Sequence, residues 1–515
     1  MSKTLSLRLT IAAILASVLI VLAVQAVSDP TNPYRQADAV AGVVKTVREH
    51  YVDELSEEEQ EELVQFGLAG IMESLGDPHS GYMPPAQFEE FEHELDGTMV
   101  GIGAHVDSRE GLVRIVAPIP GSPAAKAGVR PGDLVIEVDG VATLGMDLND
   151  AVDRIKGEPG TQVTLKIRRH LSAADGNDKE DDKELEITVD RGTVQVPAIF
   201  GFKTDEGGNP DFMLDPVRGI GYVVLREFTK DSGAQVLAAC QQAQASGAKG
   251  LIFDMRDNPG GLLTQAVDVS DVFLGKGQTV LSVRYRNADP EIHLTRYPAG
   301  IEPGLPVCVL VNEQSASAAE IVAGALKDHQ RAYIVGARSY GKGSVQSVFD
   351  VPGKLGAVRI TIARWYLPSG RLIHRDRKSD SQEWGVDPSE GGYAPIGPDA
   401  YFEMLGNRQD FRAGELVLPE SGMSESWLRE DLGDEQLALA YAATLGCIET
   451  GTWPKLSNFD ADAAQARAEL EALQDQKNSL EKQLIEVDLR LADLIDGNTS
   501  GQSDAPGASG KSGLQ

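Results

Sequence analysis

From Tyr34 to Glu94 the apolar positions, among them Leu63, Phe66, Leu68, Ile71 and Met72, recur mostly three or four apart amid acidic residues. That spacing predicts helices, and Gly76-Asp77-Pro78 predicts where the run stops. Between Gly97 and about Val194 the period changes to short β-branched runs (VGIGAHV, LVRIVAPI, LVIEVDGV, VTLKIRR, LEITVDR) separated by glycine turns, which predicts a small, mostly β domain. Within it, the acidic stretch Ser172–Glu184 (SAADGNDKEDDKE) reads as a solvated loop. From Gly219 onward the apolar runs GIGYVVLREF, GLIFDMR, PVCVLVN and YIVGA alternate with helix-like stretches such as Gly233–Gln244 and Ala318–Lys327. Such alternation implies βα units around a buried sheet. After about Ala400 the pattern is helical again. The steps through Ala466, Leu470, Leu473, Lys477, Leu480, Leu484, Val487, Leu491 and Leu494 alternate four and three, a heptad seam that suits either a helical hairpin or an oligomer contact. Asn498–Gln515 is rich in glycine and serine and predicts disorder. The resulting plan is a helical region over 34–95, a β domain over 96–192, an α/β core over 193–400, a helical region over 401–460, a coiled-coil segment over 461–496 and a tail over 497–515.

Leu9–Val27 (LTIAAILASVLIVLAVQAV) is an uncharged apolar run behind Lys3 and Arg8, long enough to cross hydrocarbon as a helix. The basic flank keeps the N-terminus in the cytoplasm, so the rest is expected on the exported side, in the cell envelope or periplasm. Residues 1–27 thus read as a signal anchor to the membrane, or as a signal peptide cut after Val24-Gln25-Ala26. The 515-residue chain has a net charge of −31, which repels phosphate backbones and argues against a nucleic-acid partner. Its three cysteines, Cys240, Cys308 and Cys447, are far apart and read as small buried hydrophobes. No sequence pattern of metal ligands is present, so no metal or other cofactor is expected.

Three short segments carry candidate chemistry. Ser315 and Ser317, in Asn312-Glu-Gln-Ser-Ala-Ser-Ala-Ala-Glu320, sit where an apolar strand turns into an alanine-rich helix. Unpaired backbone N–H groups there can stabilise an oxyanion, although a serine in that place is by itself an ordinary N-cap. Tyr340-Gly-Lys-Gly-Ser-Val-Gln346 sets Lys342 between glycines that permit close packing. A lysine acts as a general base only where its surroundings lower its pKa, and Gln346 is placed to hold the amine. Lys342 is followed by Gly343, not Ser or Thr, so the phosphate-cradling loop pattern is incomplete. Arg256-Asp-Asn-Pro-Gly-Gly261 ends another apolar strand with two consecutive glycine N–H groups that can approach a carbonyl. The histidines fall in no triad signature, which favours Ser/Lys over Ser/His/Asp chemistry.

Together NPGG, SAS at a helix start and GKGSVQ resemble the carboxy-terminal processing proteases, also called tail-specific proteases; the likeness runs from about Tyr34 to Leu445 and includes Leu75-Gly-Asp-Pro-His-Ser80 and Tyr366-Leu-Pro-Ser-Gly-Arg371. The resemblance implies a serine endopeptidase with a ClpP/crotonase-like α/β protease core, an inserted mostly-β PDZ domain and helical N- and C-terminal regions. It further implies Ser317 as nucleophile, Lys342 as general base, Gln346 as the residue that orients the lysine, and an oxyanion hole from Ala318 N–H and one glycine of Gly260-Gly261. Ala319 stands where the family often has a third serine, and Asp376–Pro388 is longer than the family's usual segment. Gly97 to about Arg191 resembles a PDZ domain, with Gly101-Ile-Gly-Ala104 and Ser122-Pro-Ala-Ala-Lys-Ala-Gly-Val-Arg-Pro-Gly-Asp133. A PDZ domain holds a chain end as an added strand. Val100, Gly101, Ile102, Gly103 and Ala104 are expected to receive the substrate C-terminus, with Arg168 linking capture to the core. The partners implied are proteins with exposed apolar C-termini, the membrane through the first segment, and possible homo-oligomers. The alternatives are a membrane-tethered PDZ adaptor with an inactive core and a crotonase-type acyl-CoA enzyme; the intact residue trio disfavours the first, and export disfavours the second.

Overall fold

The computed structural model describes residues 33–109, 111–171, 181–205, 209–375, 383–413 and 416–456, with Leu473 and Lys477. The apolar segment at 9–27, the tail and most of the heptad seam lie outside the described residues; Leu473 and Lys477 are helical. The chain divides into two compact units, one comprising residues up to Glu90 with Gln346–Thr361, the other Phe91–Val345 with Ile362 onward.

In the smaller unit α1 (Pro33–His50) and α2 (Glu57–Glu73) realise the predicted helices. Ser56 starts α2 with a reciprocal cap: its Oγ accepts from Glu59 N–H, and the Glu59 carboxylate accepts from Ser56 N–H at 2.8 Å. Three acids in the first turn complement the helix dipole. The LGDPHS segment is a side-chain-braced turn, in which Asp77 accepts from His79 N–H and Ser80 Oγ. A short strand, β1 (Gly81–Met83), then interrupts the expected all-helical lead and pairs antiparallel with Ala357–Arg359. Three residues are too few to show a period, and the pairing partner lies far along the chain, so nothing local announces this strand.

Helix α3 (Pro85–Leu95) leads into the larger unit. There β2 (Ala104–Arg109), β3 (Leu112–Pro118), β4 (Leu134–Val138), α4 (Leu148–Ile155), β5 (Gln162–Leu171) and β6 (Asp181–Asp190) build the mostly β domain. The strands lie in the order β2-β3-β4-β5-β6, all antiparallel, with β2 and β6 at the edges. Val163, Leu165 and Ile167 alternate inward on β5 and are fully buried with Ala151 and Ile155 of α4. Strand β6 begins at Asp181, so the last residues of the predicted acidic loop are in fact strand, paired up to Leu171↔Asp181. An edge strand tolerates charge on its open side, which is why acidity misleads there.

The α/β core alternates β7 (Ile220–Leu225), α5 (Ser232–Ala245), β8 (Gly250–Asp254), α6 (Leu263–Phe273), β9 (Val307–Val311), α7 (Ala318–Asp328) and β10 (Tyr333–Gly336). The four strands are parallel neighbours in the order β7-β8-β9-β10. Their continuous apolar runs are those of a sheet covered on both faces. Leu251, Phe253, Val307 and Val309 point into a cluster with α5, α6 and α7, while Ile252, Cys308 and Leu310 point to the other face. That second face is covered by α9 (Glu435–Thr450) through Leu437, Ala440 and Tyr441. Helix α8 (Pro398–Ala413) precedes it in the C-terminal helical region. All three cysteines are buried and unpaired, and burial pushes the Cys240 thiol up to about 12.

Candidate active site

The turn between β9 and α7 places Ser317 immediately before the first residue of the helix, with φ 53° and ψ −113°. A side chain is strained in that region of backbone space, and such strain persists where surrounding bonds hold it. Ser315 supplies part of that hold. Its buried Oγ donates to Met255 O at 2.7 Å and accepts from Asn312 N–H at 3.0 Å, so it is a brace and not a reacting group. Ala316 N–H donates to Asn258 O at 2.9 Å, joining the Ser317 turn to the NPGG loop.

Glu320, three residues into the same turn, is fully buried, and burial pushes its carboxyl up to about 7. One oxygen accepts from Ser317 N–H and from Lys342 N–H, each at 2.8 Å; the other accepts from Ser339 Oγ and Gly341 N–H, each at 2.6 Å. One carboxylate therefore ties the backbone at the serine to the backbone at the lysine. The role of Glu320 was not read from the sequence, although Ser-x-x-Glu at a helix start is the capping-box signature and could have flagged it. The glycines beside Lys342 are needed for close approach: a Cβ on Gly341 would lie 2.8 Å from Trp384, and one on Gly343 would lie 2.8 Å from His374 N. Lys342 O accepts from Trp365 Nε1 at 3.1 Å, and Trp365 N–H donates to Gly343 O. Gln346 falls in the smaller unit, where its amide donates to Thr361 Oγ1 at 3.2 Å.

Asn258 shapes the glycine loop. Its amide donates to Leu225 O, and its Oδ1 accepts from Gly260 N–H at 2.8 Å. Gly260 O accepts from Phe228 N–H, and Leu262 N–H returns to Phe228 O. Gly260 N–H is thus occupied, whereas Gly261 N–H and Ala318 N–H have no hydrogen-bond partner among the described residues. At Gly260, with φ 105°, a Cβ would sit 2.7 Å from Ser317 Cβ and 2.9 Å from Ala316 O. Gly260→Ala is therefore expected to destabilise the fold by about 1–3 kcal/mol, from strain and overpacking combined, read as a lower urea midpoint. An unchanged midpoint would mean that the loop and the serine turn are not in contact.

In the β domain the predicted recognition residues fall on one connection. Val100 and Gly101 end a strand paired with Gly192 and Thr193, and Ala104 opens β2. Ile102 is buried in the domain core, and its carbonyl accepts from Ala124 N–H. A Cβ on Gly103 would lie 2.5 Å from Ser122 Cβ, so the close turn requires glycine. Strand β2 pairs with β3 on one side and is otherwise an open edge among the described residues. Arg168 is half-buried between Leu134 and Glu184 in register. Its neighbour Arg169, which nothing in the sequence singled out, makes a two-pronged bond to buried Asp133 at 2.7 Å and also donates to Gly128 O. Among the described residues no cluster of acidic, histidine and cysteine side chains suits a metal ion.

A profile of peptidase family S41 matches residues 219–389, and a PDZ-domain profile matches residues 114–169. The chain is 35% identical over 433 residues to the carboxy-terminal-processing protease of Bartonella bacilliformis, covering 82% of this chain and 91% of that one. It is 33% identical over 317 residues to carboxy-terminal processing protease CtpA of Bacillus subtilis, covering 62% and 63% respectively. Among solved structures it is similar to a photosystem II D1 C-terminal processing protease, at 26% identity and a TM-score of 0.36, over 70% of this chain and 87% of that one.

Proposed function

The chain belongs to the carboxy-terminal processing proteases of peptidase family S41, a serine-type peptidase carrying a PDZ domain, and from that premise we propose how its residues divide the work. The PDZ domain receives the apolar C-terminus of an exported protein as a strand added to the open edge of β2, its carboxylate held by N–H groups of the Gly101–Ala104 connection. An upstream peptide bond then reaches Ser317. Neutral Lys342 takes the hydroxyl proton while Ser317 Oγ bonds to the carbonyl carbon, and the carbonyl oxygen becomes the oxyanion. Gly261 N–H and Ala318 N–H stabilise it; Gly260 N–H, bonded to Asn258, does not. The protonated lysine returns its proton to the leaving amine as the C–N bond breaks. Water, deprotonated by Lys342, then attacks the acyl carbon; the C–Oγ bond breaks, Lys342 returns the proton to Ser317 Oγ, and the acyl group leaves as a carboxylic acid. Residues 9–27 hold the protein at the membrane on the exported side.

The observation that carries this reading is the shared Glu320 oxygen, which brings the backbone of Ser317 and of Lys342 to one point beside two N–H groups that have no partner among the described residues. A PDZ adaptor with an idle core is not favoured, since a strained serine braced on three sides serves nothing in it. The test incubates the purified full-length chain with a folded reporter bearing a flexible apolar tail, ending either in a free carboxylate or in an amide, and reads products by mass. The free-carboxylate reporter is expected to be cut with kcat/KM roughly tenfold or more above the amidated one, the size of one lost set of charged hydrogen bonds. Equal cutting of both would remove terminal capture, and no cutting across several apolar tails would remove the proposed substrate class.

A further inference from the structure

Behind the glycine loop, five polar side chains from four separate elements meet away from water. Arg256 heads the loop, Asp254 ends β8, Tyr222 lies on β7, Arg408 on α8, and Asp434 caps the start of α9. Asp254, Arg256 and Asp434 are 2%, 4% and 0% exposed. Asp434 takes both ends of the Arg256 guanidinium, Nη1 at 2.8 Å and Nη2 at 3.1 Å, while Asp254 takes Nε at 3.0 Å and Nη2 at 2.7 Å. Arg408 bonds Asp434 at 2.6 Å and the Tyr222 hydroxyl at 3.2 Å, and that hydroxyl donates to Asp254 at 2.6 Å. Two cations and two anions balance, and Gln436 Oε1 accepts from Arg256 Nη1 at 3.2 Å.

A buried ion network is a weak stability device, because apolar side chains of the same volume serve as well. What it does supply is a fixed geometry. The two-pronged bond to Asp434 sets the plane of the Arg256 guanidinium, and the next residue, Asp257, turns through the left-handed region at φ 59° with its N–H on Asn312. Asn258 and the glycines follow directly. We propose that Asp434, supported by Arg408, is a positioning residue for the oxyanion hole, acting through Arg256 at the head of its loop. The C-terminal helical region thereby takes part in catalysis without touching the substrate. This rests on the oxyanion role given above to Gly261 and Ala318.

An oxyanion donor that moves out of line weakens the transition state and leaves ground-state binding alone. In the full-length protein, Asp434→Asn keeps the side-chain shape and removes the charge, while Tyr222→Phe removes only the hydroxyl that links Asp254 to Arg408. Two readouts are compared with the parent: the rate at which a fluorophosphonate labels Ser317, and kcat and KM on the tailed reporter, with tail-peptide affinity measured separately. Asp434→Asn is expected to slow labelling and kcat by about tenfold or more, with KM and tail affinity within about twofold; Tyr222→Phe is expected to slow both by about threefold. A folded Asp434→Asn with parental labelling and kcat overturns the proposal, as does a loss confined to KM or tail affinity. Should Asp434→Asn fail to fold, Tyr222→Phe decides by the same criteria. Slow labelling in the variants of a parent that cuts no tail would support the positioning role and count only against the substrate reading.

Discussion

Ser317→Ala is expected to lower kcat by about 10⁴–10⁶-fold, and Lys342→Ala by a similar factor, with the affinity for an apolar tail peptide unchanged in both. The equality is the informative part. A nucleophile and the base that activates it act as one unit, so removing either removes nearly everything they do together, and the double variant should be no slower than the worse single one. On the proposed mechanism, residual cleavage comes from the Gly261 and Ala318 N–H groups, which remain in place. Single-turnover cleavage of the tailed reporter, with tail affinity measured by titration, checks both statements. Lys342→Ala retaining kcat within about tenfold of the parent would mean that another group takes the serine proton, and the assignment of base would fall.

Much of the fold was legible in the sequence because the relevant signals are local. The parallel strands β8 and β9 read as unbroken apolar runs since both faces are covered. Ser317 is a candidate because it stands between such a strand and an alanine-rich helix, and Lys342 because of its flanking glycines, whose necessity the contacts with Trp384 and His374 explain. What stayed hidden depends on partners distant in sequence. Glu320 is an ordinary helix-start acid until the 339–342 loop brings its donors to it. Asp254, Arg256, Arg408 and Asp434 are unremarkable charges until β8, α8 and α9 bring them together. Of the two adjacent arginines on β5, strand alternation sends one toward Asp133 and leaves the other beside Glu184; the sequence alone offers no register to choose between them. The proposal of Gly261 over Gly260 as oxyanion donor likewise rests on one side-chain bond, from Gly260 N–H to Asn258 Oδ1.

Glu320→Gln is expected to lower kcat by about 10²-fold with little change in tail affinity, and the reason lies in what an amide cannot accept. Both carboxylate oxygens face backbone N–H groups, Ser317 and Lys342 on one and Gly341 on the other. Whichever way the amide turns, its NH₂ meets at least one of them, leaving a buried donor unsatisfied at about 1–3 kcal/mol and pushing the lysine loop away from the serine. A protonated carboxyl escapes this conflict, because its hydroxyl oxygen still accepts: the proton can go to Ser339 Oγ, which already accepts from Val386 N–H. Protonation and amidation therefore differ in effect, and pH separates them. Burial raises the Glu320 carboxyl from 4.5 to about 7, so the folded state holds the proton more tightly than the unfolded chain. The resulting contribution to stability is full below about pH 4.5, falls as pH rises towards 7 and is lost above it, on the order of 3 kcal/mol in all. The variant lacks this slope. Urea unfolding of both proteins at pH 5 and pH 8 should show the variant gaining on the parent by that amount as pH rises, while its kcat stays low at both. A constant difference in stability across the two pH values would mean that Glu320 is ionised throughout, and a kcat near the parent's would mean that the shared carboxylate does not set the distance between serine and lysine.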